Sequence, residues 1–266
     1  MNAIAQSIGV APRLRQISDR HVYVFTAAWF VVLTLAGFIP SSIDKIHAVQ
    51  TGQRPPFPVE LHVHAALMGT WLLVLLGQST LMARGHRVWH RTLGWVAAAL
   101  LPAIVISGVL LIQVTWQGLW GPGSAAMPAD ALSEARTFVT NILLLQVRAL
   151  VGFSVFLVWA LMVRRTDPES HRRLVLLGTA IPLLAGVERL TSSLGWTTMP
   201  ASPIALDLYL ILSVVPLLAW DLIRHRKVHF ATRAWLWINL PMAVATNLLW
   251  GSRWWLTQAP RLMGVL

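Results

Sequence analysis

Residues 93–114 read LGWVAAALLPAIVISGVLLIQV, a run without one charged side chain. About 20 mostly apolar residues let a helix cross the hydrocarbon of a bilayer, so this stretch alone argues against a soluble domain. Six more stretches of similar character surround it, at 21–39, 65–82, 138–163, 174–190, 204–223 and 234–250. The whole chain agrees: 56% of its 266 residues are hydrophobic and only 12% are charged, about half the charged share of an ordinary soluble domain. The expected fold is all-α, a polytopic membrane protein built as a bundle of seven transmembrane helices in one domain. Residues 1–20 form an N-terminal segment, 21–250 the bundle and 251–266 an interfacial tail carrying Trp254 and Trp255. Residues 1–20 lack an apolar core of their own, so the first span reads as a retained helix and not a cleaved leader.

The net charge is +11 and the isoelectric point about 11.7, values that in a soluble chain would point to nucleic acid. Here the basic residues fall in short clusters between apolar runs, not along one face, and a nucleic-acid partner is not expected. Their placement orients the chain. One side collects Arg13, Arg15, Arg20, Arg84, Arg87, Arg91, Arg164, Arg165, Arg172, Arg173, Arg224, Arg226, Lys227 and Arg233. The other receives only Lys45, Arg54, Arg136, Arg253 and Arg261. The positive-inside bias puts the N-terminus in the cytoplasm and the C-terminus outside, with a bacterial inner membrane as the expected location. The loops 40–59 and 115–135, on the outer side, are too polar or too broken to span. With no cysteine, disulfides, thiolate metal sites, iron–sulfur clusters and haem attached through Cys are excluded.

Three helices leaving the cytoplasm share a pattern: His90 then Pro102, His171 then Pro182, and His229 then Pro241. The first two also share a His-Arg-x-Leu start. This reads as a weak internal repeat of hairpins, each with a cytoplasmic histidine and a proline kink. Asp167-Pro168-Glu169 reads as a helix start, with Asp as cap and Pro at the first position. His171 then lies in the first turn, where the helix dipole disfavours a protonated imidazole. A neutral imidazole is what a haem iron needs, and Arg91, Arg172 and Arg173 suit haem propionates. The same His-Arg pairs equally suit anionic lipid headgroups.

Counting about 1.5 Å of rise per residue from each cytoplasmic end gives depths of roughly 24 Å for Arg148, 26 Å for Glu188 and Asp207, 30 Å for His64 and 21 Å for Asn247. Five helices thus carry polar groups to one layer in the outer third of the bilayer, with Asn141, Gln146 and Arg189 close to it. Charges at such depth are costly unless they pair and face the bundle interior, so one shared inward pocket is expected there. A structural ion-pair network is the plainer alternative. Glu60 and His64 share a helix face that continues through Met68, Trp71, Leu75 and Gln78, while His62 points elsewhere. His64 with Glu188 and Asp207 would make a mixed nitrogen and oxygen set for iron, zinc or manganese. No HExxH, HxxxH or ExxH motif supports it.

The run His62-Val63-His64, Gln78, Arg84, His90-Arg91 and Gly94, followed by His171-Arg172-Arg173 and Arg189, resembles a family of predicted bacterial integral membrane proteins of unknown function with HxH, HR-x-x-G and HRR motifs. That family is in turn distantly similar to transmembrane b-type cytochromes, which hold haem between histidines of neighbouring helices. The resemblance covers roughly residues 60–190 and implies haem b held by His90 and His171, with Arg91 and Arg172 on the cofactor. The fourth span departs from the cytochrome pattern, having Asn141, Gln146 and Arg148 but no histidine.

The leading functional expectation is a membrane oxidoreductase or electron-transport protein. A quinone or other lipophilic substrate would bind near His64, Arg148, Glu188 and Asp207, with Arg148 orienting a carbonyl or anionic group and His64 and Glu188 handling protons. One alternative is a metal-dependent lipid-modifying enzyme at the outer face, using His62, His64, Glu188 and Asp207, with a single iron or zinc ion and His62 and His64 as its ligands. Another is a transporter, in which the Arg148, Glu188 and Asp207 layer binds a solute and Pro102, Pro182, Pro216 and Pro241 permit helix movement, or a subunit of a membrane complex; membrane lipids and a homo-oligomeric or complex partner are the expected partners.

Overall fold

A computed structural model describes residues 2–265, with side chains described for 19–125 and 127–265. The side chains of Arg13 and Arg15, counted above for orientation, lie outside the described residues. The chain is 83% helical and has no strand among the described residues. Ten α-helices follow one another: α1 (Asn2–Gln50), α2 (Val59–Ala83), α3 (Arg87–Trp120), α4 (Ala129–Val163), α5 (Pro168–Ala180), α6 (Leu184–Ser193), α7 (Ile204–Ser213), α8 (Val215–Trp220), α9 (Phe230–Leu249) and α10 (Arg253–Leu262). A 3-10 turn (Pro122–Ala126) precedes α4, and a π-helical turn (Asp221–His225) ends α8.

Among the described residues, four helices are long and apolar enough to cross a membrane: α1 from Asp19 onward, α2, α3 and α4. The count rises to six if α5 with α6 is one span and α7 with α8 is another. α9 has the length, at 20 residues, but Arg233, Asn239 and Asn247 leave it less apolar than the others. Two expected loops are largely helix. α1 runs through Pro40 to Gln50 and α3 runs on to Trp120, leaving only short connections before α2 and α4. A proline removes one hydrogen bond of the ladder but not its neighbours, and a long helix can absorb that.

The prolines divide into two kinds. Pro102 and Pro241 lie inside unbroken helices. At Pro182 the chain bends by 47° between α5 and α6, and near Pro216 by 50° between α7 and α8. Around Pro182 the backbone switches to three-residue hydrogen bonds, Leu183 to Ala180 at 3.2 Å and Leu184 to Ile181 at 3.3 Å. A tighter turn of this kind re-aims the helix where the proline nitrogen cannot donate.

Local capping follows the sequence. The Asp167 side chain accepts the Ser170 N–H at 3.0 Å and starts α5; these bonds from Ser170 hold its carboxyl below the usual range. At α9 the cap is His229, whose Nδ1 accepts the Ala231 N–H at 3.2 Å. Burial, then the nearby Arg173, lowers the His229 pKa from its ordinary 6.5, in keeping with a ring nitrogen that must stay unprotonated to accept.

The main core joins α1, α2, α4, α5, α8 and α9 through Phe30, Trp71, Phe156, Leu174, Leu177, Leu217 and Trp235. α1 meets α6 backbone to backbone: a Cβ on Gly37 would fall 1.9 Å from the Gly186 carbonyl oxygen. Such approach is a device of packed membrane helices. A second cluster lies at the other end, where Trp255 of α10 packs with Trp116, Leu143 and Leu144 and donates from Nε1 to the Thr140 carbonyl at 2.8 Å. The tail is therefore docked on α4 and not merely laid on an interface. α2 and α3 are only 17% buried over their most apolar windows and turn large apolar faces outward, among them Leu73, Trp95 and Ile106.

Candidate functional site: a buried arginine and its chamber

Arg148 stands midway along α4 and is 3% exposed. Its Nη1 forms an ion pair with Asp207 Oδ1. Asp207 occupies the first turn of α7, a position where the helix dipole favours a negative charge. Its other oxygen accepts a hydrogen bond from Asn247 Nδ2 of α9 at 2.7 Å. Three helices that the sequence placed at one depth thus converge on one carboxylate. Beside them lies a chamber of about 320 Å³ lined by Arg148, Asp207, Leu210, Trp235, Asn239 and Leu240, with further apolar side chains of α7 and α9. Several lining residues, Ile211, Trp237 and Leu240, are also exposed on the outside of the bundle. The chamber is therefore a lateral recess with a polar back and apolar walls.

Polar atoms at that back are left over. Arg148 Nε, Trp235 Nε1 and Asn239 Oδ1 are buried and have no hydrogen-bond partner. Asn239 Nδ2 does have one, the Trp235 carbonyl at 3.0 Å. An unmet buried donor or acceptor costs about 1–3 kcal/mol, so three on residues that line one recess make it a costly place in the packing.

The rest of the expected polar layer lies elsewhere. His64 Nδ1 is 2.9 Å from Ser107 Oγ on α3. Ser107 spends its own proton on the Ile104 carbonyl at 3.0 Å, which makes Nδ1 the donating nitrogen and leaves Nε2 with its lone pair. Glu188 lies on α6 within electrostatic reach of Lys45 of α1 and of Arg189; Arg189 covers the Phe38 ring at 4.5 Å. Neither His64 nor Glu188 bonds to Arg148 or Asp207 among the described residues. Equal depth did not mean one pocket, because the helices present these groups in different directions. The mixed set His64, Glu188 and Asp207 accordingly does not assemble: no three His, Asp or Glu side chains among the described residues could hold a metal ion. His62 is exposed and lies edge-on to Phe57, 6.3 Å between ring centres.

His90 and His171 stand at the starts of α3 and α5 and lie within electrostatic reach of each other, with α4 packed against both helices. His171 Nδ1 donates to the Ala160 carbonyl at 2.9 Å. His90 Nδ1 is buried without a partner, as is Gln78 Oε1, and the Gln78 amide nitrogen would lie 3.6 Å from a Cβ on Gly94. Arg91 is exposed. Arg172 is occupied, ion-paired with Glu169 and lying over the Tyr23 ring at 4.9 Å.

Sequence reasoning missed a network at this end. Arg173 is 1% exposed, with Nη2 3.0 Å and Nε 3.1 Å from Glu169 Oε1. Its Nη1 stands 2.7 Å from Asp221 Oδ1, a Coulomb contact not aligned as a hydrogen bond. The Tyr23 hydroxyl donates to Glu169, and Asp221 accepts the His229 N–H at 2.9 Å. Four elements are tied together. Two signals were there to read: Glu169 precedes Arg173 by four residues on one helix face, and Asp221 is an acid inside an apolar run. No family model, curated protein or solved structure matches this chain.

Proposed function

We propose that this is a seven-span membrane protein that takes a lipid-soluble small molecule from the bilayer into the recess between α4, α7 and α9. In that topology α5–α6 and α7–α8 are each one bent span, α9 is the seventh, the N-terminus is cytoplasmic, and a bacterial inner membrane is the setting that the arginine distribution favours. One observation carries the binding reading: an arginine 97% withdrawn from the surface, with an unpartnered Nε, lines an apolar recess of about 320 Å³ whose outer walls are exposed on the surface of the bundle. That volume lies at the small end of the roughly 300–1,000 Å³ range of ligand pockets, room for a head group and the first part of a chain. Arg148 orients the head, and Asp207 with Asn247 fixes the arginine. The test is extraction of the purified protein and mass spectrometry of what it retained. A lipophilic species present in stoichiometric amount in wild type and lost in Arg148→Met supports the reading; identical extracts from both proteins refute it.

A second reading adds haem b and electron transfer to a quinone, and a specific observation favours it. His171 has its Nδ1 fixed by the Ala160 carbonyl, which leaves Nε2 as the open nitrogen, the arrangement usual for metal-bound histidines. His90 has a buried ring nitrogen with no protein partner. His90 and His171 are the residues that would hold the iron, and Arg91 is the arginine that would meet a propionate, since Arg172 is held by Glu169. Haem, when bound, would supply one-electron chemistry. A Soret band in the purified protein that disappears in His90→Ala and in His171→Ala is the expected result. A colourless protein after expression with haem supplied would remove this reading and leave the first intact.

A further inference from the structure

We infer that the far ends of α1 and α6, with the turn that follows α1, form a basic surface, carried by Lys45, Arg54 and Arg189, that holds the head group of an anionic phospholipid. This surface is separate from the recess and does not depend on what the recess binds. The first support is the placement of charge. The end of the bundle away from the arginine-rich turns carries few basic residues, Lys45 and Arg54 among them, yet the fold brings both to Arg189. Of the charges that act on the Lys45 ammonium, Arg189 and then Arg54 are the strongest, ahead of Glu188 and Asp44. All three cations are half-buried. Among the described residues none of them forms an ion pair, whereas the buried Arg148 and Arg173 each do. Like charges gathered and left unpaired repel one another, and an anion placed against them removes that cost.

The second support is the geometry that gathers them. α1 and α6 meet backbone to backbone at Gly37 and Gly186, and Arg189, one turn beyond Gly186, lays its guanidinium on the Phe38 ring at 4.5 Å. Its hydrogen bond goes to the Ala185 carbonyl of its own helix and not to an acid. Lys45 lies two turns beyond Phe38 and so on the same face of α1. The chain then folds back over the helix end: the Gln53 and Arg54 N–H groups both donate to the Ala48 carbonyl, at 2.9 and 3.2 Å, and Ala48 is one turn from Lys45. The Arg54 guanidinium is held over the Phe57 ring at 4.3 Å. Aromatic rings under two of the cations hold them in place without neutralising them.

The third support is depth, and it names the source of the anion. By rise per residue Lys45 lies about 36 Å along α1 from His21, where the first apolar run begins. That is past a hydrocarbon layer of about 30 Å and inside the roughly 40–45 Å that includes the head groups, the layer in which lipid phosphates lie. Ile39, Ile43 and Ile46, exposed along the neighbouring face of α1, offer an apolar surface to the chains of a lipid whose head sits there.

The experiment uses the full chain in phosphatidylcholine nanodiscs with a trace of photoreactive phosphatidylglycerol or photoreactive phosphatidylcholine. Each probe carries its diazirine next to the head, and labelled peptides are located by mass spectrometry. Peptides covering 40–58 and 184–194 are expected to take about tenfold more label from the phosphatidylglycerol than from the phosphatidylcholine, as the pull of a few basic side chains on an anionic head requires. Lys45→Gln, alone or with Arg189→Gln, brings that ratio toward one, while the ratio at the 84–91 turn stays as in the wild type. Millimolar inorganic phosphate leaves the labelling unchanged. Equal labelling by the two lipids in the wild type, where no substitution has disturbed the fold, overturns the inference, as does a Lys45→Gln protein that keeps the full preference. Displacement of the label by inorganic phosphate overturns the lipid as occupant and gives the surface to a soluble anion.

Discussion

Arg173 and Arg148 are buried to almost the same degree, and the chain treats them differently. Around Arg173 each guanidinium nitrogen lies within 3.1 Å of an oxygen of Glu169 or Asp221. Arg172, on α5 itself, is a second cation on Glu169, and Tyr23 and His229 close the network from other elements. Around Arg148 a single carboxylate is shared with Asn247, and the Nε faces no acceptor. The Arg173 cluster draws on four elements and locks α1, α5, the π-turn and α9 together. The Arg148 cluster stands beside an apolar recess that an occupant can enter. Both hold a buried polar atom without a hydrogen-bond partner; burial of a charge is therefore a poor guide to function by itself, and the recess is what separates the two sites.

The comparison predicts unequal effects. The largest belongs to Arg173→Met, which leaves the buried Asp221 without its cation while Glu169 keeps Arg172. Removing one partner of a buried ion pair costs about 3–5 kcal/mol, and thermal unfolding in detergent should show a large loss of stability with no specific effect on ligand retention in the surviving fold. Arg148→Met should cost less, about 1–3 kcal/mol, because the Asp207 side chain is 19% exposed and that of Asp221 only 1%. The same change should nevertheless abolish retention of the lipophilic molecule. If the two variants swapped these profiles, the contrast drawn between the clusters would be wrong.

Ser107→Ala sharpens the contrast from outside. It removes the partner of His64 and should cost about 1 kcal/mol, leaving occupancy of the recess unchanged. A loss of ligand in this variant would restore the single shared pocket that equal depth had led one to expect. The smallest effect concerns pH. His229 has a lowered pKa in the folded protein, so the unfolded chain takes up a proton first as pH falls below about 6.5, the ordinary value. Its contribution to stability is present above that pH and is lost as pH falls toward the lowered folded value. Denaturant titrations from pH 7.5 to 5 should show that decline, and His229→Asn, which caps without titrating, should flatten it.

Much of this was legible in the sequence. The apolar runs located α1 to α4 and the two bent pairs, and Asp167-Pro168 marked the start of α5. The count of rise from helix ends found Arg148, Asp207 and Asn247 at one depth, and they do meet. The same count gave no azimuth, which is why His64 turned out to face Ser107 and Glu188 to face the α1 side. Pro182 bends its span and Pro102 does not, although both sit in similar runs, and the sequence pattern carries no signal that separates them. Arg172 is not free for a cofactor because Glu169, three residues earlier on the same helix, holds it, a pairing that the spacing itself makes legible. Tyr23 could not have been found, since its partner Glu169 is 146 residues away.

The central claim is that the recess beside Arg148 is occupied from the bilayer. A cryo-electron-microscopy map of the protein in nanodiscs tests it most directly. The account predicts elongated non-protein density entering between α7 and α9 past Leu240, with its inner end within hydrogen-bond distance of Arg148 Nε. A map in which the recess is closed by Trp235 and Leu210, with Arg148 Nε bonded to a protein oxygen, would contradict it.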